Sequence, residues 1–252
     1  MKRIVKNIQQ NRLYQLGRRF NNDKAFATVS ELTQLEMAKD PKRHDVINFL
    51  SGKINAQYYL EIGVRNPDDN FNLINIKNKY SVDPGFEFES NPVDFKMTSD
   101  DFFLQLNENK LSISNDIKFD IVFIDGLHLA YQVERDIVNS FQFLSEDGFI
   151  VMHDCNPPTE YHARETYDFV NSPADGFWNG TTWKAFVKAR TMYYSCCIDS
   201  DWGVGILSKN NRGRFSILPN NENAYFDFNI FSENRKEQLN LLSFDAFSDG
   251  FN

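Results

Sequence analysis

Basic charge is in short supply in this chain: 27 Lys and Arg stand against 35 Asp and Glu, a formal net charge of −8 over 252 residues. Nucleic-acid binding needs a basic field to neutralise phosphates, so a polyphosphate partner is disfavoured and small neutral or cationic ligands fit better. Cysteine is scarce as well. Cys155 and the adjacent Cys196 and Cys197 lack the even, spaced pattern of a secreted disulfide framework, and neighbouring cysteines rarely satisfy disulfide geometry with each other. A reducing, cytoplasmic setting is the expectation. No apolar run approaches the roughly 20 residues that span a bilayer, which argues against a membrane-spanning role. The N-terminal segment carries Lys2, Arg3, Lys6, Arg12, Arg18 and Arg19 and no acid, yet has no continuous apolar core of the secretory kind. It reads as a basic amphipathic helix, with Ile4, Val5, Ile8, Leu13 and Leu16 on or near one side. Packing on its own domain, or on a second copy in a homo-oligomer, is favoured over a membrane surface. Repeats and long low-complexity tracts are missing too.

What is present is a hydrophobic content of 41%, enough for one substantial core. Up to residue 56 the pattern is helical, with an apolar stripe at Val46, Ile47, Phe49 and Leu50. From Tyr58 short apolar runs follow at 58–62, 80–82, 95–98, 119–124 and 149–152, separated by segments able to hold helices. That alternation predicts a mostly parallel α/β sheet with helices on both faces. Between the last two runs Leu129, Val133, Ile137, Phe141 and Leu144 recur at helical spacing, with Glu134, Arg135 and Asp136 expected to face away. Residues 192–198 and 202–207 flank Asp199-Ser-Asp201 as a hairpin, predicted to add antiparallel strands at the sheet edge. The expected organisation is an N-terminal helical extension over 1–56, the α/β domain over 57–210, and a C-terminal extension over 211–252 packed on it.

Two strand ends carry the chemistry. Phe119-Asp-Ile-Val-Phe-Ile-Asp125-Gly-Leu-His128 is an apolar run ending on a carboxylate, with an imidazole one turn later; Gly148-Phe-Ile-Val-Met-His153-Asp154-Cys-Asn156 ends in the same way. Neighbouring parallel strands would bring both acidic tips into one crevice. The first strand closes on Glu61-Ile-Gly63 and the second on Asp83-Pro-Gly85. Glycine there permits close backbone approach, and an acid at the next tip can accept hydrogen bonds from ribose hydroxyls, so a nucleoside-containing cofactor fits. A dinucleotide fingerprint needs three glycines, whereas this turn runs from Gly63 into Asn66-Pro-Asp-Asp, whose carboxylates repel phosphate. A cationic sulfonium suits so acidic a mouth better than NAD.

The succession of Glu61-x-Gly63, Asp83, Thr98-Ser-Asp100-Asp101, Asp125-Gly-Leu-His128 and His153-Asp154-Cys-Asn-Pro resembles the class I S-adenosylmethionine-dependent methyltransferases. The nearest likeness is to the branch with a short, glycine-poor first motif that includes macrolide-sugar O-methyltransferases. It extends over about residues 58–207, and departs where Asn66 and Pro67 stand in place of later glycines. The resemblance implies a Rossmann-like sheet, Glu61 and Gly63 beside the methionine part, Asp83 on the ribose, and Ser99, Asp100 and Asp101 bordering the adenine. In metal-dependent sugar O-methyltransferases the Asp-x-x-His element supplies a ligand and the general base. By position Asp125 is then a ligand that also borders the cofactor, His128 the base and Asp154 a second ligand. His153 stands where the family can have an acid and is a candidate third ligand; Asn156 is another, since catechol-type enzymes use an Asp-Asn pair there. Oxygen donors suit Mg²⁺, and a coordinating His153 would shift the preference toward Mn²⁺, Fe²⁺ or Zn²⁺.

Taken alone, Asp125 could be a helix N-cap and His128 a satisfied first-turn histidine; their coincidence with a second carboxylated strand end favours a reactive role. Trp178, in an aromatic stretch with Phe177 and Trp183, is an exposed candidate wall for the acceptor, while Trp183 and Phe186 are expected to pack a helix onto the sheet. His162 is expected on a following helix. The expected activity is transfer of a methyl group from S-adenosylmethionine to oxygen of a small polar acceptor, a sugar or polyol, with a His base and a divalent cation. The rivals are a metal-dependent oxygenase or hydrolase on the same sheet, with His128, His153 and Asp154 as ligands, and a non-catalytic nucleoside-binding module.

Overall fold

The structure is a computed structural model that describes residues 11, 12, 14, 15, 17, 23–87, 92–168 and 172–251. The basic helix expected from Ile4, Val5, Ile8, Leu13 and Leu16 lies outside the described residues. Strands β1 (Tyr58–Ile62), β2 (Asn78–Val82), β3 (Phe119–Ile124), β4 (Leu144–Met152), β5 (Tyr194–Ile198), β6 (Val204–Ser208) and β7 (Leu241–Leu242) form one sheet in the order β2-β1-β3-β4-β6-β5-β7. The pairs β2/β1, β1/β3 and β3/β4 are parallel, β6 runs antiparallel to both its neighbours, and β7 is parallel to β5. The mostly parallel, Rossmann-like sheet is therefore present.

Side chains alternate between its two faces, as the pleat requires. Leu60, Ile62, Val122, Ile124, Ile150 and Met152 face a core completed by α3 (Ser99–Asn107), α4 (Ala130–Phe143) and α5 (Thr182–Ala189), which contribute Phe102, Phe103, Val133, Ile137, Trp183 and Phe186. Tyr59, Ile121, Phe123, Phe149 and Val151 face the other core, where α2 (Arg43–Ile54) lays Val46, Ile47 and Leu50 on the sheet. Another helix, α1 (Lys24–Met37), starts from an Asp23 cap whose carboxylate accepts the Ala25 N–H.

Two expectations change, one is refined and one alternative falls away. Residues 95–98 form no strand: Phe95 makes a single bridge to Val82, and then Met97 N–H turns back to the Phe95 carbonyl at 3.0 Å. Thr98 at once caps α3 by accepting the Asp101 N–H at 3.1 Å, and this local bond competes successfully with extension. The hairpin adds β6 and β5 beyond β4 as expected, with one refinement of its order. Its second strand, β6, is inserted between β4 and β5, and the edge position is taken by β7 from the C-terminal extension. Asp136 does not face away: it is buried, and its carboxylate accepts Ser99 Oγ–H at 2.6 Å and Gln132 Nε2–H at 3.0 Å. Spaced three residues from Val133, it shares the inner face of α4. Finally, α4 takes no cap from Asp125, because its first N–H, on Ala130, is accepted by Thr181 Oγ1 at 2.7 Å from a distant segment.

Among the described residues no helix is long and apolar enough to cross a membrane. The C-terminal part is fastened by Arg190, buried at the end of α5, whose guanidinium donates to the Glu237 and Gln238 carbonyls at 2.7 and 2.6 Å and to the Ser195 and Ser216 hydroxyls at 3.1 and 3.0 Å. Replacing Arg190 with Met strands these acceptors in the interior. The expected loss is about 3 kcal/mol of unfolding free energy, read from urea denaturation, and a loss below about 1 kcal/mol would contradict this role.

Candidate active site

The backbone sets the strand tips side by side. Gly63 N–H donates to the Val82 carbonyl at 2.8 Å, Asp125 N–H to Ile62 at 2.9 Å, and His153 N–H to Ile124 at 3.1 Å. The ends of β2, β1, β3 and β4 thus form one continuous rim, and the chain reverses its direction of winding between β1 and β3, where an open α/β sheet leaves its crevice. Gly63 has φ +91°, and a Cβ there would stand 2.3 Å from the Asp125 carbonyl oxygen. Its glycine lets the first and third tips touch.

Asp125, His128, His153 and Asp154 converge on this rim. His128 Nε2 lies 3.4 Å from Asp125 Oδ1, and its Nδ1 lies 3.2 Å from Asp154 Oδ2. Nδ1 also donates to the Trp178 carbonyl at 3.0 Å, which assigns that nitrogen the proton and leaves Nε2 toward Asp125. The imidazole is stacked on the Trp178 indole at 5.3 Å. Burial by itself would lower the His128 pKa, but Asp154, Asp125 and the Trp178 carbonyl outweigh it and raise it to about 9. Asp125 is likewise opposed by burial, yet His153, His128 and Arg43 hold its pKa well below the ordinary carboxylate value.

Asp154 has φ +60°, a left-handed conformation that is strained for a side chain larger than glycine, and Asn179 Nδ2 fixes it by donating to Oδ1 at 2.7 Å. The segment carrying Asn179 is seated by Gly180, whose φ is +61° and whose Cβ, if it had one, would be 2.1 Å from the His128 carbonyl. His162 lies behind it, fully buried. Burial lowers its pKa to about 4, its ring nitrogens meet Thr33 Oγ1 and Thr159 Oγ1 at 3.1 and 2.9 Å, and its carbonyl accepts the Asn179 and Gly180 N–H groups. It is a strut between α1 and the site.

The other sequence-derived candidates are distributed as follows. Asp83 closes β2, half-buried, with its carboxylate accepting the Gly85 N–H at 2.6 Å. Glu61 is buried, accepts Tyr59 Oη–H at 2.5 Å and Asn70 Nδ2–H at 2.8 Å, and is pushed by that burial to a pKa of about 7. Ser99 binds Asp136, Asp100 pairs with Arg135 at 3.0 Å, and Asp101 is bonded to Thr98. Asn156 is engaged elsewhere: its amide nitrogen donates to Asp199 at 3.2 Å and its oxygen accepts from Arg235. Trp178 is half-buried rather than exposed, with Nε1–H on the Arg164 carbonyl at 2.7 Å. Among the described residues, the group whose ligand atoms lie within 4.8 Å of one another is Asp125, His128 and Asp154.

Sequence reasoning missed Arg43, Asp201 and Asn179. Arg43, on the first turn of α2, lies 3.8 Å from Asp125 Oδ2 and 3.4 Å from Asp201 Oδ2, and its Nη1 is 3.0 Å from His153 Nε2. Asp201 reads from sequence as a hairpin turn and Asn179 as part of an aromatic loop, and nothing local marks either as facing the rim.

A family model described as a methyltransferase domain matches residues 56–155. Solved structures with a similar arrangement include an O-methyltransferase from Bacillus cereus in complex with SAH (13% identity, TM-score 0.43, covering 75% of this chain and 92% of that one). Others are a putative caffeoyl-CoA O-methyltransferase from Staphylococcus aureus (15%, TM-score 0.41, 78% and 98%) and the MycE methyltransferase of the mycinamycin biosynthetic pathway in complex with Mg, SAH and mycinamycin VI (15%, TM-score 0.40, 84% and 63%). No curated protein matches the sequence. The methyltransferase-domain match spans β1 to the tip of β4, the stretch that carries Gly63, Asp83, Asp125, His128, His153 and Asp154.

Glu61 gives a pH test of the rim. Its pKa of about 7 in the fold lies above its ordinary value of 4.5, so the folded state binds the proton more tightly. The associated stabilisation is full below the ordinary value and is lost as the pH rises through about 7, amounting to about 3 kcal/mol. Glu61→Gln should flatten this decline between pH 5 and pH 8 in chemical denaturation; a variant that declines as steeply as the parent would refute it.

Proposed function

We propose that this enzyme transfers the methyl group of S-adenosylmethionine to a hydroxyl oxygen of a small polar acceptor such as a sugar or polyol, with a divalent cation, Mg²⁺ first, at the rim. The observation that carries the reading is the convergence of Asp125, His128 and Asp154, two carboxylates and an imidazole with ligand atoms within 4.8 Å. Oxygen-rich donors of this kind fit Mg²⁺, with Asp125 and Asp154 holding the ion and His128 beside it. Asp83 at the tip of β2 and Gly63 at the tip of β1 stand on the same rim, and a sulfonium suits its acidic character.

When bound, the two groups would supply an electrophilic methyl and a lowered hydroxyl pKa. The chain's own part is to remove the proton and align the acceptor. The Trp178 carbonyl holds His128 in the Nδ1–H form, so Nε2 is the nitrogen that takes the proton. Charge neutralisation on Asp125 and Asp154 removes the attraction that raises this imidazole. Trp178, stacked on His128, offers an aromatic wall against which an acceptor ring can lie. The same reading has the enzyme working in the cytoplasm, without nucleic-acid or membrane partners, and associating with its own copies through the N-terminal helices; cysteine usage, acidic charge and the amphipathic N-terminal pattern support these points.

Methyl transfer to a panel of glycosides and polyols should fall by about 10²–10⁴ in His128→Ala while binding of S-adenosylhomocysteine, followed by calorimetry, persists. Asp125→Asn and Asp154→Asn should abolish any difference that Mg²⁺ makes in that assay. Turnover left intact in His128→Ala and Asp125→Asn would overturn the assignment.

A further inference from the structure

The turn that carries Asp154 leaves the sheet with few backbone donors. Cys155 and Asn156 N–H donate to the Gly203 and Trp202 carbonyls at 3.0 and 2.8 Å, but Pro157 and Pro158, which follow, have no N–H to offer. Beyond that point a side chain takes over. Arg235 opens α7 (Arg235–Leu239), which follows α6 (Phe228–Glu233) in the C-terminal segment. Its Nη1 donates to Asn156 Oδ1 and, at 2.8 Å, to the carbonyl of the buried Pro157. Asn156 is held at its other end too: Nδ2 donates to Asp199 Oδ1 at 3.2 Å, and the same oxygen accepts Lys39 Nζ–H at 2.7 Å. The Arg235 guanidinium rests on the Phe231 ring, 4.8 Å from its centroid, and Phe231 is fully buried. The far end of α7 is fastened by Arg190 through the Glu237 and Gln238 carbonyls.

We propose that Arg235 is a positioning residue: by holding Asn156 and the Pro157 carbonyl it fixes the turn after β4, and with it the carboxylate of Asp154 on the rim. Asp154 has φ +60°, and a left-handed backbone of this kind persists only where its surroundings over-determine it. Asn179 secures the carboxylate directly, at 2.7 Å to Oδ1. Arg235 secures the chain two and three residues further on, in the manner of the outer-shell partners that orient a ligand. Asn156 thereby serves as a tether and not as a cation ligand, its amide oxygen being occupied by the guanidinium. Arg235 lies outside the stretch that the methyltransferase-domain model matches, so the C-terminal segment takes part in the site as well as covering the sheet. The tether follows from the protein's own bonds; its consequence for the cation rests on the reading of the rim given above.

Three measurements test this. In the unsubstituted protein labelled with ¹⁵N-arginine, Arg235 should show two distinct Nη signals, because Nη1 is held by two acceptors; a single averaged signal overturns the tether without any variant having to fold. In amide exchange, Arg235→Met should speed the Cys155 and Asn156 N–H groups by about tenfold or more while those of β1 keep their protection. Unchanged exchange at the turn, or equal acceleration in β1, overturns it. In calorimetric titrations Arg235→Met should weaken Mg²⁺ binding by about tenfold or more and leave S-adenosylhomocysteine binding within about twofold. Unchanged Mg²⁺ affinity, or an equal loss of both ligands, overturns the positioning role. Asn156→Ala should weaken Mg²⁺ binding as well, and the double variant should lose less than the product of the two single losses; independent losses overturn the shared tether. If the unsubstituted protein binds no Mg²⁺, the cation reading fails instead, and the exchange pattern decides the tether by itself.

Discussion

The hydrogen bond from Asp125 N–H to the Ile62 carbonyl, with its counterparts at Gly63 and His153, is the constraint on which the site depends. Each continues a parallel ladder one residue past the end of a strand, so the tips of β2, β1, β3 and β4 are locked in line. Functional side chains are borne by residues next to these bonds, at the end of a rigid sheet with a core on either face. Precision at the rim therefore comes from the ladder, and loops contribute only what must reach in from elsewhere. Gly63 is the point at which this arrangement would fail first, since any side chain there collides with the backbone of the third tip.

Placing Asp125, Asp154 and Asp201 around so small a space is electrostatically costly, and the structure offsets it with Arg43, His128 and His153. The compensation is ordered by geometry. His128 faces both Asp125 and Asp154 and donates from Nδ1 to the Trp178 carbonyl, whereas His153 lies among Asp125, Asp154 and Asp201 with Arg43 at its other nitrogen. Two imidazoles separated by 25 positions in the chain thus face the same pair of carboxylates with different second contacts. The strain at Asp154 is part of the same economy: its left-handed backbone turns the carboxylate to the rim, and Asn179 keeps it there.

Much of this was legible in sequence. Apolar runs that end on an acid identify β3 and β4 and their tips, and the glycine-plus-acid pattern identifies those of β1 and β2, because a buried parallel strand has a compositional signature and its C-terminal end is where such folds place chemistry. Residues 95–98 misread for the opposite reason: their composition suits a strand, but one bridge and the Thr98 cap divert them into α3. The charge of Asp136 suggests a surface position while its spacing puts it on the inner face of α4, where Ser99 and Gln132 satisfy it. The insertion of β6 between β4 and β5, and the edge strand supplied by Leu241–Leu242, had no local signal, since strand order is settled by long-range pairing.

By itself, then, the sequence determined the α/β class, the parallel heart of the sheet and the pair of acidic tips, all of which follow from periodicity and composition along a few contiguous residues. Only the tertiary structure decided the company those tips keep. Arg43 reaches them from a helix before the sheet, Asn179 and the Trp178 carbonyl from a loop after it, and Asp201 from the turn into β6. Each of these contacts joins residues far apart in the chain. Their chemistry as isolated residues is ordinary, and it becomes specific only when packing removes water and sets them against the carboxylates of the rim.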